Sequence, residues 1–404
     1  MLKIFNGKII LPGRILDGGC LLIRNGLIEK ISENDINFQP NQLADNETYR
    51  IVDAGGNYVS PVFIDIHVHG GGGYDFMDGT EEAFLAIADL HVRYGTTSMV
   101  PTTLTSGKAE LLNTLAVFSS AQKKNVAGAR FLGLHLEGPY ISINQCGAQD
   151  PKFIRDPDPA EYEEILRLSD DIKRWSAAPE LRGATAFGKY CVSRGVLPAI
   201  AHTDAVYEDV IEAFNNGYTL VTHLYSAMSG VTRRNAYRFA GVIESAYLID
   251  GMDVEVIADG IHMPPPLLKL AYKIKGADRI ALITDAMRAA GMPEGESVLG
   301  NIDSGLKVLV EDGVAKLPDR SSFAGSVATA DRLVRTMIAM ADVPLPEAVR
   351  MMTATPARIM KMEDSIGTIA TGMMADLVIF DQDITITNTF IKGVEVYNRS
   401  FFNH

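Results

Sequence analysis

Between residues 62 and 284, short apolar runs alternate with helix-length amphipathic segments. That alternation predicts βα units wound around a parallel sheet. Eight runs read as strands, at 62–68, 98–102, 131–136, 174–177, 197–201, 219–222, 254–258 and 280–284. Helical patterns fill 81–94, 108–124, 161–168, 185–194, 205–216 and 266–274, and a further helix at 327–341 closes the set. Eight strands with intervening helices over roughly 300 residues predict an α/β fold of the (β/α)8 TIM-barrel type. A doubly wound open sheet is the competing arrangement.

The two chain ends have another texture. Short strands at 2–5, 8–11, 20–24 and 27–31 are punctuated by Asn6-Gly7 and Asn25-Gly26, a dipeptide that favours the positive φ of tight hairpins. The tail repeats the pattern at 376–381, 384–387 and 391–397. The expectation is that residues 1–57 and 359–404 pair into one small β-sandwich flanking a barrel at 58–358. His404, the final residue, is expected to be disordered.

Composition narrows the function. The 404 residues carry 50 acidic against 37 basic side chains, a formal charge of −13. Binding to nucleic acid or an anionic membrane needs the opposite excess, so neither partner is expected. No apolar run approaches the roughly 20 residues of a membrane span, and the N-terminus has no secretory h-region. Cys20, Cys146 and Cys191 are odd in number and widely spaced, which fits a reducing, cytoplasmic setting.

The polar residues at the strand ends carry the chemistry. His67, His69, Glu137, His202, His223, Asp259 and Asp285 all fall at or just after a predicted strand end, and four of only eight histidines are among them. In a barrel those ends converge on one rim, where the βα loops build active sites. His67 and His69, two apart on a strand, project to one side and can grip one cation. An open coordination position on such a cation brings the pKa of water toward neutrality. Asp285 is then placed to take that water's proton, and His262 to stabilise a developing oxyanion. Asp65 reads as a structural hydrogen-bonding residue and His91 as a surface or packing residue. Gly70–Gly73 lacks the residues of a phosphate loop and instead suggests close backbone passage near the site. Arg233, Arg234 and Arg238 form a positive cluster suited to one anionic substrate group.

These motifs resemble the N-acetylglucosamine-6-phosphate deacetylases of the amidohydrolase superfamily along nearly the whole chain. The resemblance rests on Pro61-Val-Phe-Ile-Asp-Ile-His-Val-His-Gly70, His135-Leu-Glu-Gly-Pro-Tyr140, Thr222-His-Leu-Tyr-Ser-Ala-Met228, Ile257-Ala-Asp-Gly-Ile-His262 and Thr284-Asp285-Ala286. Further matches are Ala178-Pro-Glu180, Phe323-Ala-Gly-Ser326 and the closing segment 372–381. It implies removal of acetate from an amino-sugar phosphate, giving a hexosamine 6-phosphate. It implies a metal at Glu137, His202 and His223, with Asp285 as acid/base and His262 on the acetyl carbonyl. Arg234 would bind phosphate in a homodimer, reaching into the neighbouring subunit. Because His67 and His69 are present, a second ion is expected there, bridged by Glu137 and touched by Asp285. One or two divalent transition-metal ions (Zn, Fe, Co, Ni or Mn) are thus implied per chain.

Two positions depart from the family pattern. A Gly-Ala-His triplet common in relatives, whose histidine contacts sugar, reads Gly147-Ala148-Gln149 here. The asparagine of T-H-L-x-N-A-M that helps hold phosphate is Ser226, beside Ala227. Gln149, Ser226 and Ala227 would therefore line a substrate subsite with altered sugar and phosphate contacts. The competing activities are hydrolysis of another N-acyl sugar, such as N-acetylgalactosamine 6-phosphate, or of a cyclic amide. Cyclic-amide hydrolases bridge two metals with a lysine at the end of strand four, whereas here Lys173 precedes that strand. A barrel without catalysis would have lost a ligand or the acid/base, and neither is missing.

Overall fold

The structure is a computed structural model that describes residues 1–35 and 49–401; His404 lies outside the described residues. Every residue of Phe63–Val68 and Thr96–Thr103 is buried, which a strand achieves only with cover on both faces. These begin a run of eight parallel strands. Leu134–Glu137, Ile172–Ala177, Leu197–Ile200, Leu220–Val221, Asp253–Val256 and Ile280–Leu282 follow, each beside its predecessor. No ladder joins the eighth strand to the first. The seam closes at the C-terminal rim instead, where Asp285 N donates to His67 O and His69 N to Ala286 O, both at 2.9 Å. The expected barrel is therefore present, and the open sheet is excluded by this closure.

Each strand is followed by a helix: Glu81–Val92, Lys108–Lys124, Pro159–Leu168, Ala184–Ser193, Tyr207–Asn215, Val242–Leu248, Pro265–Lys275 and Ala330–Ala341. Local chemistry sets their starts. Thr80 Oγ1 accepts from Ala83 N at 3.2 Å, with Glu81 and Glu82 in the first turn. Asp158 caps Pro159–Leu168 with proline at the first position. The apolar faces meet the barrel in one core that includes Phe84, Phe118, Trp175 and Phe187. Each such side chain contributes about 1.5–3 kcal/mol through burial. Trp175 also stacks on Tyr140 with centroids 5.5 Å apart, and its indole N–H donates to Gly138 O at 2.8 Å. The core thereby fixes the loop that leaves Glu137.

The chain ends pair as expected, into a sheet of eight strands with the path Val394–Asn398, Ile386–Ile391, Leu377–Phe380, Tyr58–Pro61, Leu2–Leu11, Arg14–Arg24, Leu27–Ser32, and Arg50–Asp53 also pairing with Leu2–Leu11. Leu21, Ile23, Leu377, Ile379 and Phe390 share its apolar cluster. Asn25-Gly26 turns as predicted, both residues at positive φ. Asn6-Gly7 does not turn. It is an irregularity inside the continuous strand Leu2–Leu11, which pairs with Arg14–Arg24 on both sides of it. A local hairpin signal has been overridden by cross-strand pairing, and Asn6 keeps its left-handed φ of 57° as a bulge.

Two small sheets, like the helices Val242–Leu248, Leu345–Met352 and Ala354–Ile359, lie outside the sequence reading. One is the hairpin of Thr232–Arg234 and Tyr237–Phe239. The other is a three-stranded sheet of Gly295–Leu299, Leu306–Glu311 and Val314–Lys316, inserted after the eighth barrel strand. The predicted strand at 131–136 is divided into Arg130–Phe131 and Leu134–Glu137.

Candidate metal centre and active site

Every rim residue expected at the site arrives there. Glu137 ends the third strand, while His202, His223 and Asp285 lie just past the fifth, sixth and eighth. The last three have left-handed backbone, at φ 46°, 30° and 48°. Such conformations cost non-glycine residues about 1–3 kcal/mol each, and tend to be kept where a side chain must be aimed. Gly70 shows the same crowding. A Cβ on it would lie 2.4 Å from Tyr74 O and 2.9 Å from Arg288 N, so the backbone passes the rim where no side chain fits.

Glu137 stands at the centre. Its Oε1 is 2.9 Å from His223 Nε2, 3.4 Å from His202 Nε2 and 3.6 Å from His67 Nε2. Its Oε2 is 3.3 Å from His69 Nε2. Asp285 Oδ1 is 3.1 Å from His69 Nε2 and 3.4 Å from His67 Nε2. The donors fall into two groups, Glu137/His202/His223 and His67/His69/Asp285, with the ligand atoms of each group within 4.8 Å of one another.

Electrostatics tests whether a cation fits. Burial alone would push His67 down, but the charges of Glu137 and Asp285 outweigh it and carry the imidazole up to about 9. His69 is driven the same way, against burial, by hydrogen bonds to Asp285 and Glu137. Burial pushes Glu137 up, and the surrounding histidines more than reverse it. Two buried carboxylates amid four imidazoles therefore demand positive charge between them. The donor set, imidazole nitrogen with carboxylate oxygen, suits divalent Zn, Fe, Co, Ni or Mn. The residues fit the group.

A second layer aims these ligands. His67 Nδ1 faces Glu255 Oε2 at 3.3 Å, and Glu255 pairs with Arg174; both are fully buried inside the barrel. Burial raises Glu255, but Arg174 and His67 hold its carboxyl below the usual range. Arg174 also donates to Ile66 O at 2.8 Å and Thr222 Oγ1 at 3.2 Å. His202 Nδ1 donates to Gln145 O at 2.8 Å and His69 Nδ1 to Thr102 O at 3.2 Å. Asp259 Oδ2 lies 2.7 Å from His262 Nδ1 and its Oδ1 accepts two loop N–H groups, so Asp259 orients His262. Asp65 accepts from His67 N at 3.2 Å and from the Thr284 hydroxyl. Burial raises its carboxyl to about 7 against those hydrogen bonds. His91 is buried, with Nε2 donating to Gly70 O at 3.0 Å.

A cavity of about 510 Å³ opens over this centre and is lined by His69, Glu137, His202, His223, His262 and Asp285. Gln149, Ser226 and Ala227 also line it.

The sequence model of the amidohydrolase family matches residues 58–396. An N-acetylglucosamine-6-phosphate deacetylase of Lysinibacillus sphaericus is 35% identical over 350 residues, covering 85% of this chain and 86% of its own. The chain belongs to the N-acetylglucosamine-6-phosphate deacetylase family of amidohydrolases. Another relative, an N-acetylgalactosamine-6-phosphate deacetylase of Escherichia coli O157:H7, is 31% identical over 82% of this chain and 86% of its own. A solved structure of a Mycobacterium smegmatis N-acetyl-D-glucosamine-6-phosphate deacetylase mutant, in complex with N-acetyl-D-glucosamine-6-phosphate, matches with a TM-score of 0.87. It is 30% identical and covers 98% of this chain and 99% of that one.

Within this deacetylase family member, one expected residue stays away from the cavity. Arg234 is exposed on the hairpin, its guanidinium 5.3 Å over the Phe239 ring, and it is not among the cavity's lining residues. Three other cavity residues had no role assigned from the sequence. Lys316, Arg320 and Phe323 line the cavity from the inserted sheet and the loop after it. Phe323 packs on His262 with centroids 4.5 Å apart, while Lys316 and Arg320 pair with Glu311. Lys173, the one lysine that the cyclic-amide reading had available, is exposed at the start of the fourth strand, away from the rim.

Proposed function

We propose that the protein is a metal-dependent deacetylase that converts N-acetylglucosamine 6-phosphate and water to glucosamine 6-phosphate and acetate. The observation that carries this reading is the meeting of Glu137, His202 and His223 with Asp285 and His262 at the floor of one cavity. Glu137, His202 and His223 would hold one divalent transition-metal ion, and His67, His69 and Asp285 a second. A cation so held lowers the pKa of water and polarises a carbonyl oxygen.

Asp285 accepts the proton of the attacking water as the new C–O bond forms at the acetyl carbon. It returns that proton to the sugar nitrogen as the C–N bond breaks. His262, held by Asp259, donates toward the acetyl oxygen as charge builds on it. Ser226 and Ala227 lie where the sugar phosphate would rest. Arg234, remote from its own chain's cavity, would serve the cavity of the partner subunit in a homodimer. A chain with only three cysteines, widely spaced at 20, 146 and 191, fits the cytoplasm as the place of work.

Released acetate is the direct test. The purified protein, supplied with Zn²⁺ or Mn²⁺, is offered N-acetylglucosamine 6-phosphate, its galacto epimer and unphosphorylated N-acetylglucosamine. The highest kcat/KM is expected for the first, by about 100-fold or more over the unphosphorylated sugar, as loss of a charged contact implies. Absence of acetate from every sugar phosphate refutes the reading.

A further inference from the structure

Gln149 stands where the family pattern places a sugar-contacting histidine, yet its amide is already engaged at both ends. Its Oε1 accepts the backbone N–H of Thr105 at 2.8 Å, and its Nε2 donates to Glu137 Oε2 at 2.8 Å. The side chain is buried. The Thr105 N–H can only donate, so the amide orientation is fixed and an N–H must face Glu137. The donor lands on one oxygen of that carboxylate. Oε2 is the oxygen directed at His69, while Oε1 is directed at His202 and His223 and also lies 3.6 Å from His67.

We infer that Gln149 is a positioning residue for the bridging carboxylate rather than a sugar contact. It pins the plane of Glu137 so that Oε1 stays with His202 and His223 while Oε2 stays turned toward His69 of the other group. An unpinned carboxylate is free to turn both oxygens toward one group. Gln149 thus sets whether the second group holds its ion. Partners of this kind around metal ligands change metal affinity by about 10–100-fold when removed. The inference rests on the proposed metal centre, but its readout does not depend on the substrate being the one named above.

The test is a Co²⁺ titration of metal-stripped protein, followed by visible absorption and calorimetry, on the wild type and Gln149→Met. The expected result is a first equivalent bound within about threefold of wild type and a second weakened about 10–100-fold. Turnover on N-acetylglucosamine 6-phosphate should show a lower kcat at unchanged KM, restored by excess Co²⁺. Wild-type affinity for both equivalents, or a raised KM with unchanged kcat, overturns the inference. Should Gln149→Met fail to fold, Gln149→Asn carries the same expectation, since its amide is shorter by one methylene and cannot span Thr105 and Glu137. Absence of deacetylation with the predicted metal titration would sink the proposed substrate and leave Gln149's role standing.

Discussion

Replacing Glu255 with glutamine separates what the buried Arg174–Glu255 pair does for the fold from what it does for the site. Arg174 is fully buried and, once the carboxylate is gone, keeps Ile66 O, Thr222 Oγ1 and at most the neutral amide oxygen of the new glutamine as hydrogen-bond partners. Removing one member of a buried ion pair leaves an uncompensated charge and costs about 3–5 kcal/mol. The same substitution takes the carboxylate from His67 Nδ1, which lies 3.3 Å from Glu255 Oε2, and should weaken metal binding at His67 by about 10–100-fold. Urea unfolding of metal-stripped protein reads the first effect, and a Co²⁺ titration reads the second. The double variant Arg174→Met/Glu255→Leu then discriminates between them. It should recover most of the lost stability, because apolar residues of similar volume replace a buried pair at little net cost, while metal affinity stays low. Recovery of both would show that Glu255 acts on the site only through the fold. Unchanged stability and affinity in Glu255→Gln would refute the assignment entirely.

Asp285→Asn should reduce kcat by at least about 10²–10⁴-fold, the usual worth of a positioned acid/base, with near-native circular dichroism. Near-normal turnover would remove Asp285 from the proton path. Arg234→Ala should raise KM much more for a phosphorylated than for an unphosphorylated N-acetyl sugar, and equal changes would count against phosphate recognition there. Metal removal by chelation should lower the unfolding free energy, by about 4 kcal/mol relative to protein held at a thousand times its Kd for the ion; no difference would argue that the two donor groups hold nothing. Comparing His223→Gly with His223→Ala isolates the backbone at φ 30°. Both delete the ring, and the glycine variant should be more stable by about 1–2 kcal/mol. Equal stability would mean the left-handed turn carries no strain.

The barrel was legible because parallel strands buried on both faces write themselves as apolar runs, and because chemistry collects at their C-terminal ends. That is why the six donors that meet at the rim, and His262 beside them, could be named from the sequence. Arg174 and Glu255 were overlooked inside strands. The signal was there, since Arg174 and Glu255 are charges set inside barrel strands rather than at their ends, where burial makes any charge meaningful. The insert carrying Lys316 was missed although Leu306–Glu311, the central strand of its sheet, carries the β-prone run Val308-Leu-Val310. The helix Val242–Leu248, of only seven residues, is too short for its periodicity to stand out. Arg234 had the opposite fate. Its charge was visible, but nothing local says that the hairpin holds it away from its own cavity.

The sheet built from both termini makes synthesis and folding unequal partners. Leu377–Phe380 lies between Tyr58–Pro61 and Ile386–Ile391, so a nascent chain leaving the ribosome presents Tyr58–Pro61 as an open edge until residues 377–380, more than 300 positions later, have been made. Unpaired edges recruit other strands, and pairings this distant along the chain form slowly. The tail is therefore a clasp as much as a domain, and trimming it would leave a barrel with a sticky flank.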